Sequence, residues 1–290
     1  MKVLRKLLLN PVRKLAIFVS GTKIAFILRN RLFFKLYNKL VRKISDPSVV
    51  ADVQGHKMYL DPLDTLNLSV RGVWGPFETE TFKKQIKKGD TVLDIGGHIG
   101  YYTLISAKLV GESGKVYVFE PDPTNFSILK KNVELNGYKN VVLVNKAVSD
   151  KTGKCKLYLD EKDLGGHSIN DIKDKMKSIE IESVKLDDFL KNEKVDFIKM
   201  DIEGAEPKAI KGMGSILKRN NDVKIFMEFV PHFLRKSGTT PEEFLKTIRG
   251  LGFKIYNVKE LEHNVETMTI EESVKMEKET RGTNLLCIRQ

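Results

Sequence analysis

Apolar residues fall into short runs that alternate with longer amphipathic stretches through most of the chain. Runs rich in Val, Ile, Leu and Phe at 91–95, 115–119, 141–145, 195–200 and 223–229 read as strands. Between them, 101–110, 124–136, 205–218 and 241–250 repeat apolar positions at helical spacing. Strand and helix in turn predict an α/β fold, a mostly parallel sheet with helices on both faces. Upstream, 49–60 reads as two short strands around Gly55, Trp74-Gly75-Pro76 as a turn, and 78–88 as a helix. The rhythm breaks at 150–190, where 155–159 and 179–184 look like antiparallel strands around a polar loop. At the end, 253–258 and 285–289 are expected to pair as an antiparallel hairpin, with the charged stretch 259–283 as a surface excursion. No internal repeat is evident.

The N-terminal stretch has a different texture. Residues 1–45 contain twelve Lys or Arg and no Asp or Glu. The net charge of +12 therefore belongs wholly to this segment, and residues 46–290 balance to zero. A catalytic domain that is basic all over, as in many nucleic-acid binders, is excluded. The longest apolar window, 15–28, carries Lys23 and falls short of the roughly 17–25 residues needed to span a bilayer. It also lacks the small-residue cleavage site of a signal peptide. Phe26, Phe33, Leu36, Leu40 and Ile44 share one helical face and Arg31, Lys35, Lys39 and Arg42 another. Such a basic amphipathic helix suits an anionic membrane surface; the alternative is a helix packed on the catalytic domain with its charges solvated. Asp46-Pro47 marks the boundary, giving a 1–45 segment and a 46–290 catalytic domain. Only Cys155 and Cys287 occur, without metal-ligand spacing, so a reducing compartment is expected. A cytoplasmic protein, peripheral on the membrane face, follows from these readings.

Candidate chemistry gathers at the strand ends. In VLDIGGHIGYYTL the glycines are Gly96, Gly97 and Gly100, so the dinucleotide fingerprint G-x-G-x-x-G fails. The pattern present is D-x-G-G-x-x-G. Asp94 can accept from an ammonium, and Gly96 and Gly100 allow close approach and tight helix packing. Glu120 ends the second strand, where a carboxylate can accept both ribose hydroxyls. Asn145 ends the third, within reach of an adenine edge. An acid, an acid and an amide at successive strand ends suit a nucleoside with an amino-acid tail, S-adenosylmethionine (SAM).

The fourth strand ends in KMDIEGAE, with Asp201, Glu203 and Glu206. Together with GPFE (75–78), DIGGHIGYYTL and VFEPDP, this resembles the FkbM-type family of SAM-dependent methyltransferases over roughly residues 74–230. The resemblance implies a Rossmann-like class I methyltransferase fold and methyl transfer, typically to hydroxyl oxygens of sugars or other natural products. A hydroxyl acceptor must lose a proton, and the candidate bases are Asp201, Glu203, Glu206, Glu228 and His232. Lys199 or Lys208 can hold such a carboxylate cluster, or a divalent cation can acidify the acceptor; no residue is assigned as a metal ligand. Acids such as Glu203 and Glu206 can instead serve only to anchor a helix N-terminus. His167 sits in a loop able to cover the site, and His98 is expected to touch the cofactor by its backbone alone. Glu78 and Trp74 border the methionine end of SAM, or Trp74 lies in the core. The favoured partner is a hydroxyl-bearing acceptor, a sugar, glycan or lipid-linked glycan. RNA methylation with 1–45 as an electrostatic arm is the rival, and a non-catalytic membrane-attached scaffold the third reading.

Overall fold

The computed structural model describes residues 50–278 and 282–289. The expected 1–45 segment and its boundary lie outside these residues. The described residues open with the hairpin β1 (Ala51–Val53) and β2 (His56–Met58), then α1 (Leu68–Arg71) and α2 (Pro76–Lys83). The alternating core follows: β3 (Thr91–Ile95), α3 (Tyr101–Val110), β4 (Lys115–Phe119), α4 (Pro123–Leu135) and β5 (Val141–Val144). A small insert comprises β6 (Ala147–Val148), β7 (Gly153–Leu159) and β8 (Lys177–Val184), forming a separate three-stranded sheet. Then come α5 (Leu186–Leu190), β9 (Phe197–Met200), α6 (Glu206–Gly212), α7 (Gly214–Arg219), β10 (Lys224–Phe229), α8 (Pro231–Lys236) and α9 (Pro241–Gly250). The chain closes with β11 (Phe253–Lys259), β12 (Asn264–Thr267), α10 (Ile270–Lys278) and β13 (Thr283–Arg289).

The main sheet has eight strands in the order β12-β11-β13-β10-β9-β3-β4-β5. From β10 to β5 neighbours run parallel; β13, β11 and β12 add antiparallel pairs at the other edge. This is the Rossmann-like arrangement with a C-terminal antiparallel hairpin. The chain winds outward from β3 through β4 to β5, then returns to lay β9 against the other side of β3. The switch point is thus the β3–β9 crevice, where ligands sit in open α/β sheets. Register pairs Asp94 with Lys199 and Ile95 with Met200, so both strands end level beneath it.

Both sheet faces are covered, which explains why the parallel strands read as near-continuous apolar runs. Along β3, Leu93 and Ile95 join one core cluster and Val92 the other, following the two-residue pleat. Phe82 of α2 is fully buried among Tyr102, Phe197 and Phe226, and so clamps α2 to the sheet.

Three expected elements differ. The 205–218 helix is two helices broken at Met213, because Gly212 presses on the Ser149 carbonyl, where a Cβ would stand 2.1 Å away. The 78–88 helix begins earlier, at Pro76, whose fixed φ suits the first helical turn, and ends at Lys83. The 259–283 excursion contains the edge strand β12 and the helix α10. Among the described residues, no helix is long and apolar enough to cross a membrane.

Candidate active site

The glycine turn is built by close backbone approach. Gly96 has φ +84°, and a Cβ there would stand 1.9 Å from the Asp201 carbonyl oxygen. Only glycine lets the ends of β3 and β9 meet this closely. The N–H groups of Gly96 and Gly97 both donate to the Phe119 carbonyl, at 2.9 and 3.1 Å. His98 takes a left-handed φ of 48°, which turns its N–H onto Glu120 Oε2 at 2.8 Å. The second Glu120 oxygen accepts from the Asp122 N–H at 2.8 Å. Glu120 is 5% exposed. Burial pushes its pKa up to about 8 despite these two donors, helped by the charges of Asp122 and Asp94.

Asp94 is 1% exposed. Its Oδ2 accepts from Thr103 Oγ1 at 2.6 Å, and its Oδ1 is buried with no partner. Burial raises its pKa, and Lys199 opposes the rise. An unpaired buried acceptor costs about 1–3 kcal/mol, which a donor from a ligand can recover.

These groups open on a cavity of about 400 Å³. Among the described residues, seven carboxylates line it (Glu78, Asp94, Glu120, Asp163, Asp201, Glu203, Glu228) against one ammonium, that of Lys199. Lys199 is 4% exposed, with Nζ 3.2 Å from Asp201 Oδ2 and 3.4 Å from the Gly96 carbonyl. Burial pulls its pKa down, but Asp201 and Asp94 outweigh that, and the net shift is upward. Carboxylate oxygens of Asp201, Glu203 and Glu228 lie within 4.8 Å of one another, a spacing one cation can bridge. Burial raises Glu203 and Glu228 well above the usual carboxylate range; Asp201 adds to the first and Glu203 to the second. Glu203 and Gly204 are consecutive left-handed residues, at φ 54° and 83°. The insert holds this turn: Ser168 Oγ donates to the Glu203 carbonyl at 2.8 Å and Asn170 Nδ2 to the Gly204 carbonyl at 3.3 Å.

Of the residues expected at the site, Glu78, Asp94, Gly96, Gly97, Glu120, Asp201, Glu203 and Glu228 line this cavity. Glu78 is pushed up to about 7 by burial and by Glu260, while Asn284 bonds its side chain. His98 and His167 also line it. Four of the expected residues lie outside the cavity lining. Gly100 caps α3 and packs under Leu129 instead of lining the cavity. Asn145 points at backbone, donating to the carbonyls of Glu120 and Pro121 at 2.8 and 3.1 Å, and so fastens the Glu120 loop. Glu206 is 2% exposed and accepts from the Ile202 N–H at 3.2 Å, bracing its own turn. His232 is exposed on α8, because Pro231 starts a helix that carries it away. Lys208 bonds Asn170 at 2.7 Å. Trp74 is 37% exposed at the rim, outside the core.

Asp163–Gly165 in the insert and Gly282–Asn284 at the start of β13 also line the cavity, outside every motif named above. The first had a signal in the polar loop that breaks the strand–helix rhythm. The second had none, since Asn284 reaches Glu228 only through the antiparallel β10–β13 register.

A sequence model of the Methyltransferase FkbM domain matches residues 94–255, more than half of the chain. The chain belongs to the FkbM methyltransferase family. This FkbM protein is 26% identical over 144 residues to Methyltransferase 1 of Beauveria bassiana, covering 42% of this chain and 57% of that one. It is 41% identical over 61 residues to a protein-L-isoaspartate O-methyltransferase of Methanococcoides burtonii, covering 21% and 30%. The chain thus spans less than a third of the length of that relative. Among solved structures, a SAM-dependent methyltransferase from Aquifex aeolicus aligns with TM-score 0.41 and 18% identity, covering 86% of this chain and 97% of that one. A SAM-dependent O-methyltransferase from Thermotoga maritima aligns with TM-score 0.42 and 13% identity, covering 90% and 80%.

The cofactor of the FkbM protein is S-adenosylmethionine. The site fits it: a buried unpaired carboxylate oxygen on Asp94, a carboxylate at the second strand end, and a cavity lined by Gly96 and Gly97. When bound, SAM supplies an electrophilic methyl group on a sulfonium.

Proposed function

We propose that the protein methylates a hydroxyl oxygen of a neutral, hydroxyl-rich acceptor, a sugar, glycan or lipid-linked glycan. The observation that carries this is the carboxylate trio Asp201, Glu203 and Glu228 facing the crevice at the switch point. Asp94, Glu120 and Glu78 hold the cofactor: Asp94 takes a donor on its free oxygen, and Glu120 accepts the ribose hydroxyls. Neighbouring carboxylates do not all ionise together, so one member of the trio keeps its proton while another accepts the acceptor's. A base with a raised pKa is the more effective near neutral pH. Lys199 keeps Asp201 in place. The trio's spacing also supports a cation-assisted variant, in which the metal acidifies the hydroxyl.

Among the described residues the cavity's one ammonium, Lys199, is already paired with Asp201, so a phosphate finds no free cation there, which counts against RNA. The twelve basic residues of 1–45 support an anionic membrane surface, on its cytoplasmic side, as the place where the acceptor is met. Asp201→Asn and Glu203→Gln should each lower kcat about 100-fold or more while SAM affinity stays near wild type. Normal turnover in both variants would reject the assignment. Loss of wild-type turnover with chelator, restored by added metal, would select the cation-assisted form.

A further inference from the structure

We infer that Trp74 is the platform on which the acceptor ring stacks, and that the ring is a neutral saccharide presenting its C–H face. The inference rests on the hydroxyl-acceptor reading and names the residue that selects the acceptor. Trp74 is the chain's only tryptophan. Its main chain is locked: the carbonyl accepts from Thr79 Oγ1 at 2.5 Å. Its N–H donates to Tyr101 Oη at 3.1 Å. Thr79 and Tyr101 are 0% and 3% exposed and bond each other at 2.9 Å. Two buried side chains therefore fix the main chain of a residue that lies 37% exposed in the cavity wall. A large aromatic group left at a rim on a rigid support is suited to binding, because little further ordering is needed when a ligand arrives.

The surroundings select the ligand. The π face is electron-rich and attracts partially positive C–H groups. Glu203 and Glu228 line the same cavity and offer acceptors for hydroxyl donors. A planar hydrocarbon ring would stack equally well but would leave those carboxylates without donors. A phosphorylated or carboxylated sugar would find no free cation among the described lining residues, since Lys199 is held by Asp201. A saccharide with one C–H face and a rim of hydroxyls satisfies both surfaces.

Because the tryptophan is unique, its emission reports this wall directly. Full-length protein is first saturated with S-adenosylhomocysteine, then titrated with methyl glucoside, methyl galactoside, methyl rhamnoside and, as a charged control, glucose 6-phosphate. The neutral glycosides should give a saturable emission change that glucose 6-phosphate does not. Trp74→Phe should raise the acceptor KM by up to about tenfold. Trp74→Ala should raise it by about 30-fold or more. In both variants calorimetry should give wild-type affinity for S-adenosylhomocysteine, which also shows that they are folded. Emission that responds to S-adenosylhomocysteine but to no glycoside would overturn the inference, as would an acceptor KM unchanged in Trp74→Ala. A methyl ether product made with that unchanged KM sinks the platform alone. A product methylated elsewhere than on a hydroxyl sinks the underlying reading.

Discussion

Glu120 couples cofactor binding to pH and stability in a way one substitution exposes. Its carboxyl is pushed to about 8 from an ordinary 4.5. At about 1.4 kcal/mol per unit, ionising it in the folded chain costs about 5 kcal/mol more than in the unfolded chain. A raised folded pKa gives stability that is complete below the unfolded value and is lost as pH rises through the folded one. The wild type therefore weakens between about pH 4.5 and 8 from this group. Glu120→Gln cannot ionise and escapes that loss. It carries its own penalty: both carboxylate oxygens accept backbone N–H groups, from His98 and Asp122, and an amide nitrogen at either place faces a donor. That mismatch costs about 1–3 kcal/mol at every pH. The variant should be the less stable at low pH and the more stable at high pH, with the curves crossing about one to two units above 4.5. Urea unfolding without cofactor at about pH 5, 7 and 9 measures this. At about pH 9, where the wild-type carboxyl is ionised, SAM binding should weaken by about 1.5–3 kcal/mol, or about 10–150-fold, because ribose hydroxyls lose a charged acceptor. Stability curves that run parallel with pH would refute the buried-ionisation argument, and unchanged SAM affinity would refute the ribose role.

Gly96→Ala should destabilise the fold by more than about 3 kcal/mol and abolish SAM binding, since its Cβ would strike the Asp201 carbonyl in a left-handed conformation. Thermal unfolding with calorimetry checks it, and wild-type behaviour would deny the close β3–β9 approach. His232→Ala should leave turnover within about twofold, as an exposed residue away from the cavity should; a large loss in kcat would restore His232 as a base. Full-length protein should bind anionic vesicles more tightly than neutral ones, at about 1 kcal/mol per basic residue near the surface, and weaken without vanishing as salt rises. Deleting 1–45 should abolish this and spare SAM binding; indifference of the full chain to anionic vesicles at low salt would rule it out.

The parallel core was legible because β3, β4 and β9 are short apolar runs that end at Gly96, Glu120 and Asp201 and lead into helices. The switch point placed Gly96 beside Asp201, and the carboxylates of β3, β4, β9 and β10 converge there. Side-chain direction was less legible. Asn145 and Glu206 carry the right chemistry at strand ends, but backbone carbonyl and N–H groups claim them first. His232 follows Glu228 closely, yet Pro231 starts a helix between them and changes its heading. Asn284 enters through a pairing 56 positions from Glu228, a distance over which no local pattern operates. Trp74 looked equally fit for core or site, and only its surroundings distinguish the two.

The central claim is methyl transfer from SAM to a hydroxyl of a neutral, hydroxyl-rich acceptor. The most direct measurement is incubation of the full-length protein with methyl-labelled SAM and a ribonuclease-treated extract containing membranes, followed by chemical identification of the labelled bond. The account predicts a base-stable methyl ether on a neutral saccharide, absent with Glu203→Gln. Label destroyed by ribonuclease, a base-labile methyl ester on protein, or no transfer by an enzyme that binds SAM would contradict it.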